Sequence, residues 1–195
     1  MSGAQASPLD SMMVERKPVI NDFQIMIATV NGSGSQTANT VLMRSIFRMG
    51  VPVNGKNIFP SNIQGLPTWF TIRLSSDGYI ARHEDYHVLV AMNQQTAADD
   101  IANLVPGGAC YYPEEWKIAH DRADITYYPM PVKALVSSMD IPSSLTSYVS
   151  NMVYVGVLAT MLHIDLDDIA FSIDYHFDGK AKPVNMNMSV VRAAY

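Results

Sequence analysis

The spacing of hydrophobic positions changes several times along this chain, and each change marks an element. Residues 23–30, "FQIMIATV", are a nearly continuous apolar run. Such a run fits a strand covered on both faces, as in a parallel sheet. The polar stretch "NGSGS" follows, and then Ala38, Val41, Leu42, Ile46 and Met49 recur at helical spacing. Gly50 suits the position just past a helix end and Pro52 blocks continuation, so the pattern predicts a helix over 36–49. "VPVNGKNIFPS" predicts a short strand, a turn at Asn54-Gly55 and a loop. "WFTIRLS", 69–75, alternates and is rich in aromatic and β-branched residues, so it reads as a strand ended by the turn Ser76-Asp77-Gly78.

"YHVLVAM", 86–92, is a second buried strand. "QQTAADDIANLV" predicts a short helix stopped by Pro106-Gly107-Gly108, and "GACYY" and "DITYYP" predict two more strands. The second half changes character. "PVKALVSSM" suits a helix, and Ser143 or Ser144 could cap a long apolar helix reaching about Leu162. "DLDDIAFSIDYHF" opens on acidic residues that favour a helix N-terminus, and Gly179 closes it. "NMNMSVVRAAY" begins a last helix. Strands alternate with helices first and helices cluster late. The fold class is α/β: a mainly parallel or mixed central sheet flanked by helices, with a helical C-terminal part. Residues 1–20 are small, polar and proline-containing and read as a flexible arm. Residues 21–195 read as a single domain.

Composition narrows the function classes. The net charge is −5 with no block of Lys and Arg, which argues against a nucleic acid partner. The one cysteine, Cys110, cannot form a disulfide within the chain or hold an iron–sulfur cluster. Its apolar strand makes it inert core. The N-terminus lacks the apolar segment of a signal peptide, and "MVYVGVLATML", 152–162, is too short to span a bilayer. A cytoplasmic protein with no membrane partner is the expectation. The histidines form no ligand set and no nucleophile–base pair is legible, so no residue is assigned to catalysis or to a metal.

The candidate chemistry lies in the strand–loop–helix "ATVNGSGSQTANTVLMRSIFRMG", 28–50. Glycines let backbone approach a ligand, and the N–H groups of the following helix face an anion. The dinucleotide fingerprint fails, since its third glycine is Thr37 and Lys56 stands where an acidic residue belongs. The Walker lysine is also absent. Two readings stand: a tight turn without ligand, or an anion cradle. Asn31, Ser33, Ser35, Gln36 and Thr37 exceed what a turn needs and favour the second. The loop "KNIFPSNIQGLPTWFTIR", 56–73, carries Asn57, Asn62, Gln64, Thr68 and Arg73 among Phe59, Pro60, Pro67 and Trp69 and reads as a cleft wall, a subunit contact or a self-packed surface loop. Asn93 and Gln94 follow a buried strand, where open α/β sheets bind ligands, though Asn93 could equally cap a helix. Arg44, Arg48, Lys56 and Arg73 are candidate phosphate partners, with the polar helix face as the alternative for Arg44 and Arg48.

These segments, with "HVLVAMNQQTAADDIANLVPGGACYY" and "NMVYVGVLATML", resemble the gamma domain of the 2-oxoacid:acceptor (ferredoxin) oxidoreductases from about residue 21 to 195. They are most similar to the N-terminal gamma portion of the 2-oxoglutarate:ferredoxin oxidoreductase alpha subunit. The resemblance implies a component of a CoA-acylating enzyme that decarboxylates a 2-oxoacid and passes electrons to ferredoxin. It implies coenzyme A in this domain, with Asn31, Gly32, Ser33, Gly34, Ser35, Gln36, Thr37, Asn62, Gln64, Thr68, Asn93 and Gln94 as the candidate contacts. It also implies that thiamine diphosphate, Mg and iron–sulfur clusters sit on partner domains or subunits, and that this domain continues into, or pairs with, a thiamine diphosphate domain. Two departures stand out. Gly34-Ser35-Gln36-Thr37 replaces the family's Gly-Gly-Gln-Gly, and Gln64-Gly65-Leu66 replaces an Arg-Gly-Gly stretch. The alternatives are a structural assembly subunit without ligand and a stand-alone nucleotide-binding oxidoreductase.

Overall fold

The computed structural model describes residues 21–60 and 63–195; the expected arm, 1–20, and Asn62 lie outside them. In chain order the elements are β1 (Asp22–Val30), α1 (Ser35–Arg48), β2 (Val53–Ile58), β3 (Pro67–Ser75), β4 (Val88–Ala91), α2 (Ala97–Ala102), β5 (Ala109–Pro113), β6 (Thr126–Met130), α3 (Val132–Ser137), α4 (Thr146–Met161), α5 (Leu166–His176) and α6 (Ala181–Ala194).

The strands form one sheet in the order β2-β3-β1-β4-β5-β6. β1 lies inside it, parallel to β4 and antiparallel to β3. The sheet is therefore mixed, and the apolar run of β1 reflects burial on both faces rather than an all-parallel setting. Ile25 and Ile27 face the larger core with α1, α3, α4, α5 and α6, while Met26 and Ala28 face a smaller core with α2. That period-two split follows from the alternation of side chains along a strand.

Three local expectations are corrected. Asn54-Gly55 is no turn: β2 runs straight through it, with Gly55 paired to Ile72. A Cβ at Gly55 would lie 2.5 Å from Met43 Sδ and 2.6 Å from Phe70 Cζ, so close packing, not chain reversal, explains this glycine. Neither Ser143 nor Ser144 caps α4. Its N-cap is Leu145 with no side-chain cap, and the Leu145 N–H closes a turn by donating to the Pro142 carbonyl at 2.8 Å. The last helix starts at Ala181, one turn before the "NMNMS" stretch. Pro183 sits in its first turn, where the missing N–H costs no helical bond.

β2 and β1 point the same way with β3 reversed between them. The connection after β2 therefore returns to the edge of the sheet where the glycine loop leaves β1. α4 is apolar on nearly all sides because it is wrapped by the sheet, α1, α3 and α6. Its first turns bring Tyr148, Asn151 and Tyr154 to the same edge, toward residues 33–39. Among the described residues no helix is long and apolar enough to cross a membrane.

Candidate functional site

Two loops that lie far apart in sequence are stapled together at this edge. The Asn31 N–H donates to the Leu66 carbonyl at 2.8 Å and the Gly65 N–H donates to the Asn31 carbonyl at 3.0 Å. The Asn31 side-chain amide adds a bond to the Ile63 carbonyl at 3.1 Å. Gly32, at φ +86°, allows the approach, because a Cβ there would stand 2.9 Å from Gln64 Cγ. Gly34 is the N-cap of α1 in the left-handed region, at φ 80°. The ring of Tyr148 lies against it where a Cβ would be.

A cleft of about 330 Å³ opens between these loops, the start of α1, β2, β3 and α4. Of the candidate contacts, Asn31, Gly32, Gly34, Ser35, Gln36 and Thr68 line it. The other described candidates lie elsewhere. The Ser33 carbonyl is held by the Asn151 amide at 2.8 Å, behind the cleft. Thr37 turns toward α5, its Oγ1 3.1 Å from His176 Nε2. Gln64 packs over Gly32 on the rim. Asn93 is buried and supports the loop from beneath: its amide donates to the Thr29 carbonyl at 3.4 Å, and its Oδ1 accepts the Gln95 N–H at 3.0 Å. It makes an Asx turn rather than the cap of α2, which is Thr96. Gln94 faces a different hollow, beside α2 and Lys117.

Much of the polar surplus that drew attention to the loop is taken up by the fold. Besides the side-chain bonds of Asn31 and Thr37, Ser35 Oγ pairs with Thr29 Oγ1 at 2.9 Å, and the Gln36 amide reaches Thr40 Oγ1 at 3.3 Å. What stays open at the start of α1 includes backbone, while Ser33 Oγ is buried without a hydrogen-bond partner. No side chain caps α1 and its first turn holds no acidic residue. Among the described residues nothing accepts from the Ser35 and Gln36 N–H groups. With the positive end of the helix dipole, they form an anion-accepting mouth.

No Lys or Arg of the described chain lines the cleft. The four candidate phosphate partners are engaged or turned away. Arg44 donates to the Ser172 carbonyl and lies 4.4 Å from the Tyr175 ring centroid. Arg48 pairs with Asp168 at 2.9 Å and covers the Phe171 ring at 3.7 Å. Both clamp α1 to α5. Arg73 is buried at the opposite end of β1, bonded to Asp22 and the Phe23 and Leu74 carbonyls. Lys56 neighbours Asn57 on β2, and only Asn57 reaches the cleft.

Asn57, Phe59, Trp69 and Phe70 of the lining belong to the 56–73 stretch read as a cleft wall, whereas the sequence reading missed Thr29, Asn39 and Tyr148. Asn39 was within reach of it, since helical spacing puts residue 39 one turn above Ser35. Tyr148 had no local signal at all.

The titration of two partly buried histidines, His176 beside Thr37 and His87 at the other end of β1, has a definite sign. Burial first, then the Arg44 guanidinium, holds the His176 imidazole below its usual pKa of 6.5. Burial and then Arg73 do the same for His87. The unfolded chain thus takes up these protons more readily. Stability from this source is complete above pH 6.5 and is lost as pH falls through the lowered folded-state values. The melting temperature is expected to drop on acidification below that point, and His176→Gln to flatten part of the drop. Coincident pH profiles for variant and parent would contradict the assignment. Cys110 is buried with its thiol pushed up to about 12 by burial and then Asp100, as an inert core residue should be.

Comparison with known proteins fits this architecture. Residues 24–195 match the family described as pyruvate ferredoxin/flavodoxin oxidoreductase. The alpha subunit of 2-oxoacid:ferredoxin oxidoreductase 2 from Aeropyrum pernix is 19% identical over 212 aligned positions, covering 89% of this chain and 33% of that subunit. The chain thus spans about a third of the length of that relative. The solved 2-oxoglutarate:ferredoxin oxidoreductase from Magnetococcus marinus, with 2-oxoglutarate, coenzyme A and succinyl-CoA bound, superimposes with a TM-score of 0.74 at 19% identity, over 90% of this chain and 31% of that one. The gamma subunit of keto/oxoacid ferredoxin oxidoreductase from Geobacter sulfurreducens gives 0.70 at 11% identity, over 88% and 95%. Pyruvate oxidoreductase subunit PORC from Thermotoga maritima gives 0.66 at 16%, over 90% and 96%. The last two are covered almost end to end, so the fold seen here is that of a whole gamma subunit. With 24–195 matched, the chain belongs to the pyruvate ferredoxin/flavodoxin oxidoreductase family.

Proposed function

We propose that this chain is the gamma-type component of a 2-oxoacid:ferredoxin oxidoreductase and that it holds coenzyme A in the glycine-loop cleft. The observation that carries the reading is the uncapped first turn of α1 opening into a polar cleft with aromatic walls. The Ser35 and Gln36 N–H groups meet phosphate oxygens, and Phe59, Trp69 and Tyr148 offer flat faces to an adenine ring. The bound coenzyme A of the Magnetococcus marinus enzyme supports the same choice, and its 2-oxoglutarate favours that acid as substrate.

The cleft supplies neutral donors only, so the charge that balances the phosphates comes from a partner domain. Thiamine diphosphate, Mg and iron–sulfur clusters belong to such partners, and ferredoxin takes the electrons. This domain then binds and orients the acyl acceptor and does not itself break bonds. A cytoplasmic enzyme follows from that chemistry.

Calorimetric titration of the full protein with CoA, and with NADH as control, tests the reading. Saturable CoA binding without NADH binding is the expected result. NADH binding with CoA silence would favour the stand-alone nucleotide enzyme. Silence toward both, in the presence of the partner subunits, would leave a structural assembly role.

A further inference from the structure

The cleft wall holds a side chain that the fold leaves half used. Asn39 is 2% exposed and yet lines the cleft, one turn into α1. Its Oδ1 accepts from the Tyr154 hydroxyl at 2.7 Å. That is the length of an O–H···O bond and shorter than usual for N–H···O, which fixes the amide with its oxygen toward α4. Tyr154 is fully buried, and burial keeps its hydroxyl protonated and donating. The amide nitrogen of Asn39 is therefore left on the cleft side.

Among the described residues nothing accepts from that nitrogen. The other buried asparagines differ. The amide nitrogen of Asn93 bonds the Thr29 carbonyl, that of Asn151 the Ser33 carbonyl, and that of Asn187 the Pro183 carbonyl. The Asn39 side chain is buried, but its free nitrogen reaches the cleft surface, so an oriented donor stands there with its place open to an acceptor from outside the chain.

We infer that Asn39 is a ligand-binding residue, whose amide donates to a phosphate or diphosphate oxygen of the molecule seated in the cleft, with Tyr154 as its positioning residue. Asn39 and the free Ser35 and Gln36 N–H groups stand within one turn on the same wall. Three neutral donors converging in this way suit a diphosphate, whose oxygens accept several bonds at once. The inference rests on the coenzyme A reading and adds a residue to it.

The test is calorimetric titration of the full protein, in its native assembly, with inorganic pyrophosphate and separately with CoA. Asn39→Asp keeps the size and the oxygen that faces Tyr154 but replaces the donor with a carboxylate. Its dissociation constants for both ligands are expected to rise about tenfold or more, the value of one lost bond to a charged group. The loss is expected to be smaller at pH 5 than at pH 8, because a protonated carboxyl can donate again. Tyr154→Phe frees the amide to turn and is expected to weaken both ligands about threefold, less than a full bond. If Asn39→Asp does not fold, Tyr154→Phe decides, and unchanged affinity there overturns the inference. Parent-like affinity in Asn39→Asp overturns it while leaving the coenzyme A reading intact. Parental binding of pyrophosphate without CoA, lost in Asn39→Asp, sinks the coenzyme A reading and keeps the Asn39 assignment. Parental silence toward both ligands overturns both.

Discussion

Gly34→Val is expected to raise the CoA requirement of the complete enzyme at least tenfold while 2-oxoacid decarboxylation stays measurable. Two separate strains meet at this residue. The backbone is at φ 80°, where a β-branched residue is a true outlier costing about 1–3 kcal/mol. The new Cβ would also overlap the Tyr148 ring and stand 3.2 Å from Tyr148 Cα, so the start of α4 must shift, not merely a flexible side chain. Overpacking of that kind costs roughly another 1–3 kcal/mol. The shift would move the cleft wall that holds the free Ser35 and Gln36 N–H groups. The two strains can be separated. Gly34→Ala in a Tyr148→Ala background removes the ring contact but not the left-handed backbone, so the pair should recover about half of the lost stability. Urea denaturation of the four proteins measures the coupling, and CoA saturation kinetics measure the function. A folded Gly34→Val enzyme with an unchanged CoA Michaelis constant would show that the glycine loop does not contact the cofactor. The loop would then be only the strand-to-helix turn that its internal packing already explains.

That last possibility bears on how far the amino-acid pattern could lead. The core of the fold was legible because periodicity has a direct physical cause. β1 and α1 came out within a residue of their observed ends, and the α/β order with late helices is the observed one. The direction of β3 was not legible, since an apolar run looks alike in parallel and antiparallel pairing when both faces are covered. Asn54-Gly55 misled for a different reason. A glycine required by the Phe70 ring and Met43 sulfur has the same letter as one required by a turn. At the site, the polar residues of the loop were found but their partners were not. Nothing near Thr37 in sequence announces His176, 139 positions on, and nothing near Ser33 announces Asn151. The residue with the strongest claim on a ligand, Asn39, sits inside an amphipathic helix and looks like ordinary polar filling. Only the tertiary position of Tyr154 reveals that one end of its amide is committed and the other free.

Gly156→Val is expected to destabilise the protein by about 3 kcal/mol, the upper end for overpacking. Gly156 is in the middle of α4, where glycine costs about 0.8–1.0 kcal/mol of helix propensity relative to alanine. Propensity alone would therefore favour replacement, and packing reverses the sign. A Cβ at this position would lie 2.5 Å from the Val191 carbonyl oxygen and 2.8 Å from Ala194 Cβ. The first of these is backbone of α6 and cannot rotate away, so the two helices must part. Their contact belongs to the larger core, with Val153, Val155, Val190 and Val191 all fully buried, and separation would loosen that packing. Ala194→Gly removes only the side-chain half of the clash, so it should restore only a minor part of the loss in Gly156→Val. Helix α4 also carries Tyr148 to the cleft and Tyr154 to Asn39 in the cleft wall. Ligand affinity should consequently fall in the folded fraction of Gly156→Val, although no ligand contact has been changed. Denaturation midpoints report the first effect and titration below the melting transition reports the second. If Gly156→Val instead matched or exceeded the parent in stability, α4 and α6 would not pack as closely as their backbones indicate. The placement of Tyr154 behind Asn39 would then lose its structural support.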